Sequence, residues 1–450
     1  MNNTLVLHLG TPKTGTTALQ LFLVENSEEL KKLGWSYPNL AKSVAEMDNK
    51  KYVENISCET NCRFLFFEKD KFSNSNSLRG KAWQVIRKEL ENYNVILSEE
   101  AFYHSAKEME EVLKDIKSLY DNVKVVLYLR RQDRYAESLW NQEIKWRAFF
   151  SEEFNSWSEK LESVHYLSRL DMISEIIGKE NLIVRVFEKE QFEGESHSIS
   201  SDFMHSLGIK PDWTKFKKIK SVNKRLSSSS LEIKRIINKV MDRAEHPAIL
   251  EQYRWFFLDL PNQIGDTNPC QEESYFSIQD RKEFLEKFES ENITIAKKYL
   301  KRDSGDLFLD KRMDYLSTYV QATPMEEEII RIFTYMINNR DKQALLLQVK
   351  GNRKLAYFGA GAKCQDMLKM MLELRADAII DNSREKEGTF KAAGLYKVQV
   401  VHTSSIDDWS QYFVVVTCMN TDTIEQQLIG LGLQKGRDFV LAKDWFGWKA

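Results

Sequence analysis

Cysteine is scarce in this chain, with five residues in 450. An odd, sparse count excludes a disulfide-stapled scaffold and suits a reducing compartment. Cys58 and Cys62 stand four apart, but no second Cys pair or His pair lies near them, so they read as structural residues rather than a metal site. Histidine is nearly as rare: the seven present form no H-E-x-x-H pattern, and no metal is expected. His8 sits in an apolar run, where a core or supporting role is expected. Net charge of one sign is also missing. A formal balance of −2 gives no general attraction to nucleic acid, so a basic patch would have to be local. No apolar stretch approaches the roughly 18 residues that a membrane span needs. The N-terminus runs straight into the first apolar run, which leaves no room for a signal peptide. The cytoplasm is the expected compartment.

What is present is core-forming sequence: 42% hydrophobic and 29% charged residues over a length that predicts two or three domains. The most informative segment is Gly10-Thr-Pro-Lys-Thr-Gly-Thr-Thr17, directly after the apolar run Leu5-Val-Leu-His-Leu9. A strand emptying into a glycine-containing turn with helical sequence behind it directs backbone N–H groups and a helix N-terminus at one spot, a site for phosphate. A triphosphatase loop, G-x-x-x-x-G-K-[ST], keeps its lysine after the second glycine. Here Gly10 and Gly15 keep that spacing, but Thr16 fills the lysine slot and the lysine has moved forward to Lys13. The cation therefore meets the ligand from another side, which points away from ATP hydrolysis and toward a different phosphate-bearing donor.

Helical spacing of Leu19, Phe22, Leu23 and Leu30 predicts a helix over about Thr16 to Leu33. Strand-like runs follow at Asn94 to Leu97, Val123 to Leu129 and Asn181 to Val186, separated by helix-forming stretches at Gly80 to Tyr93, Ala106 to Tyr120 and Asp133 to Trp146. Alternation of this kind predicts an α/β domain with a mainly parallel sheet. Ligands in such sheets bind at the carboxyl ends of the strands. Three polar clusters fall there: the opening loop, Ser98-Glu99-Glu100, and Arg130-Arg131. Lys210 to about Leu309 reads as mostly helical, interrupted near Pro261 and over Gly265 to Pro269, with helices closing over one side of the sheet. Ile329, Ile330, Phe333 and Ile337 share one face of a helical connector over 313–350.

A second α/β pattern begins at Lys354, with strands at Leu355 to Phe358, Ala378 to Ile380 and Phe413 to Val416 and a helix through Leu374. Gly359-Ala-Gly361 follows its first strand, and Asp381 comes 22 residues after Gly359, near the roughly 20 that separate glycine turn and ribose-binding acid in a Rossmann unit. Cys364 replaces the third glycine of that fingerprint. About 100 residues is too few for a complete dehydrogenase or epimerase, and no Tyr-x-x-x-Lys pair is evident.

The first roughly 310 residues resemble the sulfotransferases that use 3′-phosphoadenosine 5′-phosphosulfate. Pro12-Lys-Thr-Gly-Thr-Thr17 is similar to that family's 5′-phosphosulfate loop. Leu129-Arg-Arg-Gln-Asp-Arg-Tyr-Ala-Glu-Ser138 resembles its 3′-phosphate segment, in which an arginine ends a strand and a serine follows eight residues later, as Arg130 and Ser138 do. Gln132 stands where a proline is common in the family. Asn181 to Ile209 resembles the bacterial branch associated with glycans. The resemblance implies a P-loop sulfotransferase-like parallel sheet flanked by helices over 1–312, followed by the connector over 313–350. It further implies 3′-phosphoadenosine 5′-phosphosulfate as co-substrate, no metal, and a carbohydrate or other hydroxyl-bearing acceptor. Residues 351–450 instead resemble the small Rossmann-like modules of bacterial polysaccharide-synthesis proteins, which implies a smaller Rossmann-like α/β domain with a nucleotide or partner protein as its expected ligand.

The residue chemistry fits such a donor independently. Two separated phosphates need two anion sites: loop N–H groups with the hydroxyls of Thr16 and Thr17, and the forked guanidinium of Arg130 with Ser138 beyond. Pro12, Lys13, Thr14 and Gly15 complete the donor-binding set. The resemblance places Lys13 at the bridging oxygen, where negative charge grows as the S–O bond breaks. The acceptor hydroxyl needs a base. Glu99 and Glu100 are the candidates, with Glu100 favoured by the family's Ser-Ser-Glu-like tripeptide and His104 as a fallback. Both acids also read as surface caps of the next helix. Arg131 and Arg134 read as a solvated helix start, Asn223-Lys-Arg225 as a plain loop or a segment closing over the nucleotide, and Trp140 as core, with Trp146, Phe149 and Phe150 able to stack on a sugar. A P-loop kinase or nucleotidase and a non-catalytic glycan-assembly module remain the alternative functions.

Overall fold

The computed structural model describes residues 3–47, 61–62, 70–147, 150–219, 226, 228–240, 256–258, 273–313, 317–318, 343–371, 374–393, 396–418 and 421–446. The expectations for Cys58, Phe149, Asn223-Lys-Arg225, Pro261, Gly265 to Pro269 and most of the 313–350 connector lie outside these residues. The chain divides into two compact units. One comprises Met1–Trp140, Glu153–Asn223 and Ser274–Thr318, and the other Asn141–Glu152, Lys224–Glu273 and Tyr319–Ala450.

Five parallel strands form the sheet of the first unit: β1 (Leu5–His8), β2 (Trp35–Ser36), β3 (Asn94–Ser98), β4 (Val123–Leu129) and β5 (Leu182–Val186), in the order β2-β3-β1-β4-β5. His8 is level with Ser98, the last residue of β3, and with Val126 of β4, which runs on to Leu129, so the carboxyl ends of the three parallel central strands lie on one edge. Alternate side chains serve opposite faces, as the pleat requires. Leu5, Leu7, Val95, Leu97, Val125 and Leu127 pack with the helices Leu78–Leu90, Ala106–Leu119 and Tyr166–Ile177. Val6, Ile96, Val126 and Tyr128 pack with Leu19, Phe22 and Leu23 of the helix Thr16–Glu25 and with Phe203. Both faces are covered, which explains strands that read as unbroken apolar runs.

The predicted helix after the loop is two helices, Thr16–Glu25 and Ser27–Lys32, with Asn26 between them at φ −114°. Asn26 accepts from the Lys217 N–H at 2.7 Å and donates to the Lys217 carbonyl at 3.2 Å. A side chain that pairs with another segment's backbone turns the chain there. Two other helices are capped as their sequences suggest: Ser77 accepts from Gly80 N–H and Ser105 from Glu108 N–H. Of the region expected to close over the sheet, Ile295 and Ala296 of the helix Glu289–Leu300 join the core of one face. Two-residue strands β6 (Glu273–Ser274), before that helix, and β7 (Ser317–Thr318), after it, pair in a two-stranded sheet.

In the second unit, β8 (Lys354–Phe358), β9 (Ala378–Asp381), β10 (Phe390–Ala393), β11 (Tyr396–His402), β12 (Tyr412–Val416) and β13 (Phe439–Leu441) form one sheet. Its order is β10-β11-β9-β8-β12-β13, with β10 antiparallel and the other pairs parallel. Leaving out β10, the strands lie third-second-first-fourth-fifth, the order of a doubly wound sheet. The β10–β11 hairpin and β13 were not expected from the sequence. The helix after the glycine turn is Ala362–Met370, shorter than the run to Leu374 that was expected. No helix among the described residues is long and apolar enough to cross a membrane.

Candidate functional site

Loop, carboxylates and arginine meet at the carboxyl edge of the first sheet. The loop leaves β1 along β4: Thr11 N–H donates to the Tyr128 carbonyl at 3.1 Å and Tyr128 N–H to the Gly10 carbonyl at 2.8 Å. Thr11 Oγ1 also donates to the Tyr128 carbonyl, at 3.0 Å, and Thr14 Oγ1 closes the turn on the Thr11 carbonyl at 2.6 Å. Thr11 and Thr14 are fully buried, and their hydroxyls hold the loop's own backbone. Lys13 and Gly15 both take left-handed backbone, at φ 67° and 75°. Gly15 requires glycine on two counts, because a Cβ there would also come within 3.1 Å of the Phe187 ring and 3.2 Å of Ile199.

Gly15 is the N-cap of the helix Thr16–Glu25, which carries no acid in its first turn. Its first N–H groups lack intrahelical acceptors and its positive dipole end faces the turn, an arrangement suited to an anion. Pro12 is buried, while Lys13 and Thr17 are half-buried. The Thr16 hydroxyl donates to Glu100 Oε2.

That hydrogen bond separates the two candidate bases. Glu99 is fully buried, and its Oε1 accepts from the Ala101 N–H at 2.8 Å. It lies on the side of Cys62, where burial, and after it the Glu99 charge, push the thiol up. Glu100 is half-buried and turned to the loop. In extended backbone successive side chains take opposite faces, and Glu99, at φ −153° and ψ 114°, obeys that rule. His104 is exposed at the end of the short helix Glu100–His104.

Arg130 follows β4, and its Nη1 donates to the Lys13 carbonyl at 2.7 Å. Its guanidinium carbon is 5.8 Å from the centre of the Phe187 ring, and its own carbonyl accepts from the Tyr166 hydroxyl at 2.7 Å. Phe187 thus touches both Arg130 and the space beside Gly15. Sequence reasoning passed over Phe187 and Tyr166 as site residues. Phe187 was within reach, since it directly follows β5 at the same edge, whereas Tyr166 comes from a helix and gave no local signal. Ser138 is half-buried, two turns into the helix Gln132–Trp146.

Arg131 is not part of a solvated helix start. It is buried, and its Nε and Nη2 each reach Asp133 at 2.8 Å. Arg134 pairs with Asp310 at the same helix end. Trp140 is core, edge-on to Tyr275 with ring centres 4.7 Å apart, while Trp146 is exposed. His8 is fully buried, and burial lowers its imidazole to about 3, so it is neutral. Its Nδ1 lies 2.8 Å from Ser98 Oγ, which also accepts from Gln20 Nε2 at 3.0 Å. This chain of contacts ties β1 and β3 to the helix behind the loop.

In the second unit, Asp381 Oδ2 accepts from the Ala360 N–H at 2.7 Å and Oδ1 from the Ser383 N–H at 2.8 Å. The acid expected to meet a ribose thus closes the glycine turn. Among the described residues no group of three or more His, Cys, Asp or Glu side chains is arranged to hold a metal.

The first unit is therefore a parallel α/β sheet whose carboxyl edge joins a glycine turn, a lysine, a carboxylate and a guanidinium. No protein-family model matches the chain. Over 241 residues, 52% of this chain, it is 28% identical to an uncharacterized protein of Archaeoglobus fulgidus, and the match spans 61% of that protein's length. Among solved structures, the sulfotransferase from Alicyclobacillus acidocaldarius aligns with a TM-score of 0.31 at 12% identity, over 53% of this chain and 94% of that one. The sulfotransferase domain from the Synechococcus PCC 7002 olefin synthase aligns at 0.31 and 11% identity, over 64% and 96%. The sulfotransferase domain from the curacin biosynthetic pathway aligns at 0.32 and 10% identity, over 64% and 97%.

Proposed function

We propose that this chain is a sulfotransferase that moves a sulfuryl group from 3′-phosphoadenosine 5′-phosphosulfate to a hydroxyl of a bacterial glycan or glycan precursor. The observation that carries the reading is the joining of three strand ends by two hydrogen bonds, Thr16 to Glu100 and Arg130 to the Lys13 carbonyl. In this reading the turn and helix N-terminus hold the 5′-phosphate, and Arg130 with Ser138 holds the 3′-phosphate. The acceptor oxygen forms a bond to sulfur while the bond from sulfur to the bridging phosphate oxygen breaks. Glu100 takes the acceptor's proton, and Lys13 stabilises the charge left on the bridging oxygen. Positioning and charge account for most of such a transfer, as in phosphoryl transfer.

Calorimetric titration with 3′-phosphoadenosine 5′-phosphate, with and without Mg²⁺ and against ATP, tests the donor. Metal-independent binding that weakens by about tenfold or more in Arg130→Ala is expected, the loss of one charge-assisted phosphate contact. Preference for ATP, or a requirement for Mg²⁺, would return the chain to the kinase or nucleotidase class.

For the C-terminal sheet we propose a binding or docking role as a Rossmann-like module, supported by its strand order and by the Gly359 turn at φ 102°. A nucleotide or nucleotide sugar is expected to raise the melting temperature of the full chain, and Asp381→Ala to abolish that shift. A shift that survives the substitution would remove Asp381 from the role, and no shift with any nucleotide would remove the nucleotide as ligand.

A further inference from the structure

We propose that the Thr16 hydroxyl is a latch on Glu100 that donor binding opens, so that the base is released only when donor is present. The inference rests on the donor reading above and adds a coupling between the two substrates. A threonine hydroxyl has one proton to donate. In this structure the hydroxyl donates that hydrogen bond to Glu100 Oε2. Thr16 is also the first residue of the helix whose N–H groups face the turn, and it is 3% exposed. A phosphate on those N–H groups competes for the same hydroxyl.

The competition is one-sided. A phosphate on the helix N-terminus accepts the hydroxyl's hydrogen bond and brings negative charge that repels the Glu100 carboxylate at the same time. Glu100 Cβ lies beside Gly10, at ordinary contact distance from where a Cβ on that glycine would stand (3.4 Å). Only rotation of the Glu100 side chain's outer bonds is needed to turn the carboxylate away from the loop and toward an acceptor hydroxyl. No bond is made or broken beyond the exchange of a hydrogen bond. Donor before acceptor is then the productive order, and the site without donor keeps its base engaged.

Affinity for 3′-phosphoadenosine 5′-phosphate, measured by calorimetry on the full chain, tests the latch. Opening it costs the unaltered protein the Thr16–Glu100 hydrogen bond, and Glu100→Ala removes that cost. Glu100→Ala is therefore expected to tighten binding by about tenfold more in the unaltered background than in Thr16→Val, where no such bond exists. The charge effect is common to both backgrounds and cancels in the comparison. Glu100→Gln, which keeps an acceptor oxygen, should show a smaller excess, and Thr16→Ser, which keeps the hydroxyl, should retain the full one. Equal gains in the two backgrounds would overturn the latch and leave the donor reading standing. Absence of binding by the unaltered chain would overturn the donor reading, and the latch with it.

Discussion

Replacing Lys13 by alanine is expected to slow sulfuryl transfer by about a hundred- to a thousandfold while affinity for 3′-phosphoadenosine 5′-phosphate falls far less. The estimate follows from the few kcal/mol that one well-placed charge contributes to a developing oxyanion. Lys13 already occupies left-handed backbone at φ 67°, so alanine, with the same Cβ, inherits the same strain. The contact to Arg130 uses the Lys13 carbonyl and survives the change. What disappears is the ammonium and its stem. Formation of 3′-phosphoadenosine 5′-phosphate from the donor, with a hydroxyl acceptor mixture or with water alone, gives the rate, and calorimetry gives the affinity. A loss confined to kcat marks an interaction made in the transition state. Equal losses in rate and affinity would make Lys13 a ground-state ligand of the phosphate, and an unchanged rate would remove it from the chemistry.

The parts of this site carried by strand ends were legible in the sequence. Apolar runs located β1, β3, β4 and β5, and the rule that ligands meet such sheets at carboxyl ends drew attention to three clusters, the opening loop, Ser98-Glu99-Glu100 and Arg130-Arg131, within which the family resemblance singled out Glu100 and Arg130. Their being joined was not legible. Thr16 and Glu100 lie 84 positions apart, and Arg130 and Lys13 lie 117 apart, so no local pattern encodes either bond. Arg131 was misread for a similar reason. Beside Arg130 at a helix start it has the pattern of a solvated charge, and its burial depends on Asp133 and on Asp310 and Arg312 far along the chain. The break at Asn26 likewise depends on Lys217. In the second unit, β10 escaped notice because Phe390–Ala393 is short and its Phe390 is exposed, leaving no buried alternation to read.

Removing Asp133 should be the most destabilising single change at this edge, about 3–5 kcal/mol for Asp133→Ala in urea denaturation at neutral pH. Asp133 has no exposed surface and is grasped by two guanidinium groups, Arg131 at 2.8 Å and Arg281 at 2.5 Å, of which Arg281 is 1% exposed. Glu137 lies 3.6 Å from Arg281 and supplies the second negative charge. Without Asp133, the buried guanidinium groups of Arg131 and Arg281 each lose a charged partner, and loss of charge compensation inside the protein is what makes the breaking of such pairs costly. The pH dependence has a fixed sign. Burial by itself would raise the Asp133 carboxyl, but the hydrogen bonds and charges of Arg131 and Arg281 outweigh it and hold the group below its ordinary 3.8. A depressed carboxyl contributes stability that is present above the unfolded value and is lost as pH falls through the folded one. Its share is therefore constant from neutrality down to about pH 4 and declines below that. Asp133→Asn keeps the shape without the charge, so it should be less stable than the unaltered chain at pH 7 and should lose less on acidification. Because Arg131 and Asp133 flank the first turn after β4, the same loss should loosen Arg130 and weaken binding of 3′-phosphoadenosine 5′-phosphate at pH 7. A variant that loses stability but binds as tightly as before would confine the network to folding.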